Sequence, residues 1–248
     1  MQTPTCTTST RSSRRPTEIY SSSCLRKGCS ESTKKKLDKE YLVVSGISHP
    51  GIINVVDWIQ TDNTYGLGLE FAPFGNLREA MFTQFSQIRG MSKFIMFRQI
   101  VSAVEFLHNA GMAHLNIRPG SVMVFKKWCL VKLSGFDHVV KVNPKRLCRL
   151  FDLHAISTPP EVFKKKPYHP QKADIWALGS LFFYILTGDY LQKDTGFSLD
   201  RLVFPCLKGC DWDDKRGALE ILNCALFPVA HRRPEASQLM RRFKFFGL

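Results

Sequence analysis

The spacing of apolar residues divides most of the chain into helices and strands. Across residues 34–46, Leu37, Tyr41, Leu42 and Val44 recur at helical spacing, and Ser48-His49-Pro50 ends the helix they predict. Residues 52–59 and 64–71 read as two β-strands of a hairpin, with the turn at Thr61-Asp62-Asn63. Beyond Pro73 and Gly75 the texture becomes helical over 76–82 and again over 91–110, where Phe94, Ile95, Phe97, Ile100, Val101, Val104 and Leu107 form the apolar face. Short strands are predicted at 122–125 and 130–133, then a loop-rich stretch to about His169. The remainder reads as helical, with a segment at 175–186 that looks buried all round and a last helix over 234–243.

Of the 248 residues, 44% are hydrophobic, enough for the core of one two-lobed unit or two small domains. Disorder is therefore excluded as a description of the whole. No run reaches the roughly 20 apolar residues of a membrane-spanning helix, and the longest, around 176–186, is interrupted by Gly179 and Ser180. Eight scattered cysteines without a secretory signal fit a reducing compartment, so free thiols in the cytoplasm or nucleus are expected. The pairs Cys24/Cys29 and Cys206/Cys210 lack both a zinc-ribbon spacing and a nearby histidine, and read as ordinary core or loop residues.

A formal net charge of +14 and a pI near 9.6 favour an acidic partner, whether nucleic acid, membrane surface or protein. The cations come in short groups such as 34–36, 164–166 and 241–242, without the interleaved aromatics of a base-stacking surface. Nucleic acid is thus possible as a partner but not favoured. Residues 1–23 are rich in Ser, Thr and Arg, and 1–19 read as a flexible tail with no apolar face for an amphipathic presequence.

Several local motifs follow one another in a telling order. They are His49-Pro50-Gly51-Ile52-Ile53, Glu70-Phe71-Ala72-Pro73-Phe74-Gly75-Asn76-Leu77, and His114-Leu115-Asn116-Ile117-Arg118-Pro119-Gly120-Ser121-Val122. After them come Gly135-Phe136-Asp137, Pro159-Pro160-Glu161 and Asp174-Ile175-Trp176-Ala177-Leu178-Gly179. In that order they resemble the HPNIV turn, hinge, HRDLKPEN-type catalytic loop, DFG triplet, APE triplet and anchoring helix of the protein kinase superfamily, of Ser/Thr-kinase-like type. The resemblance runs from about residue 20 to the end. It implies an α+β, bilobal fold: a reduced, β-containing N-lobe over 20–72 and a mainly helical C-lobe over 73–248.

The resemblance also implies structural roles. Glu161 would pair with Arg233, or with Arg232, and Asp174 would hold the backbone of the catalytic loop. Glu40 would be the glutamate of the first large helix. Val44, Val55, His114 and Phe136 would form a packed spine, and Glu70 and Ala72 would be the hinge positions for any nucleotide.

The residues for chemistry depart from the pattern. Phosphoryl transfer needs a phosphate loop and lysine, carboxylate and amide ligands for magnesium, and an aspartate to take the substrate proton. Here the base position is Asn116, whose amide is no base at any pH. The metal-binding amide is replaced by Ser121 and the metal-binding aspartate by Gly135. The lysine strand resembles residues 20–27, with Ser23 at the lysine position, or Lys27 in another register; no glycine stands in the 22 residues ahead of Ser23. Loss of a general base alone costs about 10²- to 10⁴-fold.

The expectation is a truncated pseudokinase, not an enzyme, that serves as a binding module, decoy or scaffold for a kinase, a kinase substrate or a regulator. No cofactor is expected, ATP with magnesium binding weakly or not at all. The alternatives are a residual Ser/Thr kinase, in which a shifted loop offers Asp137, with Ser121, to magnesium, and a basic nucleic-acid-binding protein on a kinase platform.

Overall fold

A computed structural model of the chain describes residues 20–26, 31–60, 64–84, 88, 90–126, 129–143, 145–151, 158–191 and 212–243. Strand β1 (Tyr20–Arg26) and strand β2 (Val55–Gln60) flank β3 (Thr64–Glu70), both antiparallel to it. Helix α1 (Glu31–Ser45) packs on β2 and β3, turning Leu37 and Val44 inward. Tyr41 lies tilted on Trp58 with ring centroids 4.8 Å apart, and Trp58 meets Tyr65 edge-on at 4.9 Å. Such pairs add about 0.5–1.5 kcal/mol beyond the area they bury.

The hairpin strand begins at Val55, three residues later than the alternation of 52–59 predicts. Ile52 instead bridges in parallel to Leu133. Leu133 N–H donates to Gly51 O (2.7 Å), and Ile53 N–H to Leu133 O (2.9 Å). The apolar run thus serves two neighbours in succession, which a period-two pattern cannot distinguish from one longer strand.

Helix α2 (Leu77–Gln84) starts one residue late because Asn76 and Glu79 cap it reciprocally: Asn76 Oδ1 accepts from Glu79 N–H (3.1 Å) and Glu79 Oε2 from Asn76 N–H (3.2 Å). Helix α3 (Gly90–Asn109) leads to β4 (Met112–Ala113), the hairpin β5 (Val122–Lys126) and β6 (Leu130–Leu133), and β7 (Val140–Lys141), which pairs with β4. Then follow α4 (Pro160–Phe163), α5 (Pro170–Thr187), α6 (Trp212–Ala225) and α7 (Ala236–Arg241). The last helix is shorter than the predicted 234–243: Pro234 precedes the capping residue Glu235, whose N–H donates to Gln238 Oε1 (2.9 Å).

Every residue of α5 from Ala173 to Leu186 is buried. Phe182 stacks on Phe97 of α3 at 4.2 Å, and a Cβ on Gly179 would stand 2.8 Å from Leu226 Cγ, so only glycine allows the chain after α6 to come this close. One continuous core runs from Leu37 and Val44 through Leu133 and Phe136 to Phe243. A small sheet with α1 on one side and a larger helical body on the other give the expected two-lobed α+β arrangement. Among the described residues no helix is long and apolar enough to cross a membrane, and Cys129, Cys148 and Cys224 are free thiols. The Ser/Thr/Arg-rich tail, the predicted turn at 61–63, Cys29 and the Cys206/Cys210 pair lie outside the described residues.

Candidate functional site

Asp174, buried on α5, is the fixed point from which the loop at 113–121 hangs. Its Oδ2 accepts from His114 N–H (2.7 Å) and lies 3.0 Å from His108 Nε2, while its Oδ1 accepts from Leu115 N–H (2.8 Å). A buried carboxylate is tolerable only when so satisfied. The two backbone bonds hold Leu115 at φ 60°, a left-handed conformation that costs an L residue about 1–2 kcal/mol.

His114 packs edge-on against Phe136 (4.8 Å, 72°), and its Nδ1 accepts from Asn116 N–H (3.2 Å). Burial drives its pKa down to about 4 against the upward pull of Asp174, so the ring is neutral at pH 7. Phe136, fully buried, donates its N–H to Glu40 Oε1 (3.1 Å). Burial raises the Glu40 carboxyl to about 7, with the Phe136 hydrogen bond opposing and the charge on Asp137 adding to the rise. Val44, buried, and Val55, half-buried, line one cavity of about 550 Å³ beneath α1 with Tyr41 and Trp58.

At the centre, Asn116, Ser121, Gly135 and Asp137 are tied to one another. Asn116 Nδ2 donates to Asp137 Oδ1 (3.1 Å) and to Gly135 O (3.2 Å), and its Oδ1 accepts from Arg118 Nε (3.0 Å). Both acceptors face the NH₂ and the donor faces the oxygen, which fixes the amide's orientation. Ser121 Oγ lies 2.5 Å from Asn116 O and 2.9 Å from Arg118 O, and accepts from Arg118 N–H (3.1 Å). It is spent on the loop's own backbone. Gly135 sits at φ 77°, where glycine is favoured, and a Cβ there would stand 3.1 Å from Asn116 Nδ2.

Asp137 Oδ2 lies 2.9 Å from His138 Nδ1. Burial pushes the Asp137 carboxyl up, but His138 and the Asn116 amide outweigh it and hold the group below the usual carboxylate range. A hard divalent cation takes several oxygen ligands, carboxylates foremost. Gly135 has no side chain, Ser121 Oγ is engaged, and both Asp137 oxygens have neighbours, so these residues do not fit a magnesium site. No cluster of three His, Cys, Asp or Glu groups suited to a metal occurs among the described residues.

At the predicted hinge, the Glu70 carboxylate turns away to bind Lys132 Nζ (2.6 and 2.8 Å) and accept Asn54 N–H (2.8 Å). Ala72 is buried and its carbonyl accepts Gly75 N–H (3.0 Å). Ser23 lies in β1 opposite Leu67, while Lys27 falls outside the described residues. Away from this centre, Arg233 (1% exposed) binds Glu161 through both guanidinium ends, at 2.6 and 2.8 Å. It donates also to the carbonyls of Phe227 and Lys172, and lies 5.0 Å over the Trp176 ring. Arg232 is exposed, over Phe227.

The sequence reading passed over Arg118, Lys132, His108 and His138. Arg118 stands inside the quoted loop motif, two residues after Asn116, and could have been read as its partner. Lys132 and His108 owe their places to contacts between segments distant in sequence, whereas His138 meets its own neighbour Asp137.

A family model described as the protein kinase domain matches residues 10–208. The chain is 27% identical over 81% of its length to sperm motility kinase Z of Mus musculus, and 30% identical over 77% to sperm motility kinase 2B of the same species. It is 26% identical over 83% to the hormonally up-regulated neu tumor-associated kinase of Homo sapiens. The chain spans 40% of the first two relatives and 29% of the third.

Proposed function

The chain belongs to the protein kinase family, and we propose that within it this chain transfers no phosphate and acts by binding another protein. The observation that carries this reading is the Asn116 amide, held between Arg118 on one side and Asp137 with Gly135 O on the other. In the family pattern this position carries the aspartate that takes the substrate proton. Here it supplies a donor to a carboxylate, and an Asp in its place would set a second negative charge against Asp137 and Gly135 O. Restoring the base keeps the Arg118 contact but works against the Asp137 and Gly135 O side of the site. The Gly135 position resists restoration for its own reason, since an Asp there meets both the left-handed backbone and the Asn116 side chain.

The partner class that fits is a kinase, a kinase substrate or a regulator, met in the cytoplasm or nucleus, with the helical body as the docking scaffold. Nucleotide contributes weakly or not at all on this reading. Incubation with radiolabelled ATP and magnesium or manganese, with and without a general acceptor protein, is expected to give no labelling, and Asn116→Asp is expected to rescue none. ATP with magnesium is expected to leave the melting temperature unchanged. The reading fails if the parent protein labels itself or the acceptor and Asn116→Ala/Asp137→Ala abolishes that labelling. That result would favour transfer through Asp137.

A further inference from the structure

We propose that the exposed face formed by residues 145–149 and 163–166 docks an acidic segment of a partner protein. The inference rests on the binding-module reading and names the partner chemistry for it. The two segments are joined by an antiparallel bridge: Cys148 N–H donates to Tyr168 O (2.8 Å), Tyr168 N–H to Cys148 O (3.1 Å), and Tyr168 OH to Leu150 O (2.6 Å). The register brings Arg149 opposite Pro167, next to Lys166. Lys145, Arg146, Arg149, Lys164, Lys165 and Lys166 are all exposed. Residues 141–151 contain no acid, and the acid in 161–169 is Glu161, already bound to Arg233. Self-repulsion of this kind is unfavourable in the free protein and is relieved by an anionic partner.

A second observation concerns Lys165 itself. Helix α4 ends with Lys166 N–H donating to Glu161 O (3.0 Å) and Lys165 N–H to Val162 O (2.9 Å), the paired bonds of a Schellman motif. Its left-handed position is ordinarily glycine's, yet here it is Lys165 at φ 53°. Strain kept where a smaller residue would relieve it points to a use for the side chain. Lys165 stands at the middle of the basic triplet, and its conformation presents three consecutive cations to solvent.

The apolar neighbours choose among anionic partners. Leu147 (41% exposed) and Phe163 (67% exposed) stand among the cations. A phosphate backbone uses the charges but not the leucine, and the four-residue α4 is too short for an amphipathic helix lying in a lipid surface. An acidic polypeptide with spaced apolar residues uses both.

The test is fluorescence anisotropy of the full chain with a short labelled peptide rich in Glu and carrying spaced Leu residues. Single-stranded DNA and phosphatidylserine vesicles serve as competitors. Lys164→Glu/Lys166→Glu and Arg146→Glu should each weaken peptide binding by about tenfold or more, while the exposed control Arg241→Glu should leave it within about twofold. Lys165→Gly should weaken binding several-fold while the melting temperature holds or rises by about 2 °C, a combination that misfolding cannot produce. The proposal is overturned if the patch variants bind the peptide like the parent, if Arg241→Glu weakens it equally, or if DNA or vesicles displace the peptide at lower charge concentration and their own binding is lost in the patch variants. The labelling experiment above tests the inactive-kinase reading separately, so either can fail alone.

Discussion

An amide differs from a carboxylate by its donors, and at Asn116 those donors face Asp137 and Gly135 O. Glu40 shows a related dependence on surroundings. Its carboxyl is pushed from 4.5 to about 7 first by burial, with the Phe136 hydrogen bond opposing and Asp137 reinforcing the shift. Because the folded state holds this proton more tightly than the unfolded chain, the resulting stabilisation is complete below about pH 4.5. It is lost as pH rises through about 7. His114 acts in the opposite sense, its depressed pKa costing stability as pH falls from 6.5 through about 4. Comparing parent with Glu40→Gln cancels the His114 effect, since both proteins contain it. Urea unfolding across pH 5 to 8 should show the parent losing about 3 kcal/mol relative to Glu40→Gln, whose amide oxygen still accepts from Phe136 N–H. A difference that stays flat across that range would mean that Glu40 is not held in this environment.

Among the elements, α4, α5 and the turn before α7 are locked by one residue. Arg233 binds Glu161, donates to Phe227 O and Lys172 O, and lies over Trp176, while Lys172 Nζ donates back to Arg233 O (2.7 Å). Glu161→Ala leaves the guanidinium buried and under-compensated, and should cost about 3 kcal/mol, or roughly 10 °C in melting temperature. The exposed control Lys164→Ala should stay within about 0.5 kcal/mol. The exchange Glu161→Arg/Arg233→Glu should not rescue the loss, because a glutamate at 233 would face the carbonyls that the arginine now satisfies. Thermal melts of the three variants decide it; a Glu161→Ala protein melting like its parent contradicts the lock. At this scale the sequence was a good guide where elements are local. Strand β6 lies at 130–133 as its alternation predicted, and α3 differs by one residue at each end from 91–110. Helix α5 begins at Pro170, directly after the loop-rich stretch that the sequence ends at about His169, and its early turns bury Ala173 and Asp174 ahead of the apolar run at 175–186. The loop motif marks positions 114, 116 and 121 and the Gly135-Phe136-Asp137 triplet marks 135, but the bonds between the two depend on the approach of segments some twenty residues apart. The Lys132–Glu70 pair was invisible for the same reason.

Across the whole molecule, the sheet-and-α1 part and the helical body share one core, and Phe136 stands where they meet. Its ring packs on His114 of the loop held by α5, and its N–H donates to Glu40 of α1. The 3₁₀ turn Phe136–His138 packs directly on α1. Strand β2 has mostly exposed or half-buried residues, whereas α5 is buried from Ala173 to Leu186, so the two parts draw unequally on the core. Regions with few buried apolar contacts open at lower free energy than the global unfolding. Phe136→Ala should cost about 3–5 kcal/mol through lost burial and the cavity left behind. The loss should not be shared evenly. The protein should remain folded in α3 and α5, whose facing rings Phe97 and Phe182 do not involve Phe136, while α1 keeps the backbone bond from residue 136 to Glu40 but loses the buried ring of the turn packed on it. Hydrogen exchange read by mass spectrometry should show peptides from 31–45 and 55–60 exchanging at least about tenfold faster in Phe136→Ala, with peptides from 175–186 changing much less. Equal acceleration everywhere would mean that the two parts unfold as one unit. No acceleration in α1 would mean that the Phe136 ring does not hold it.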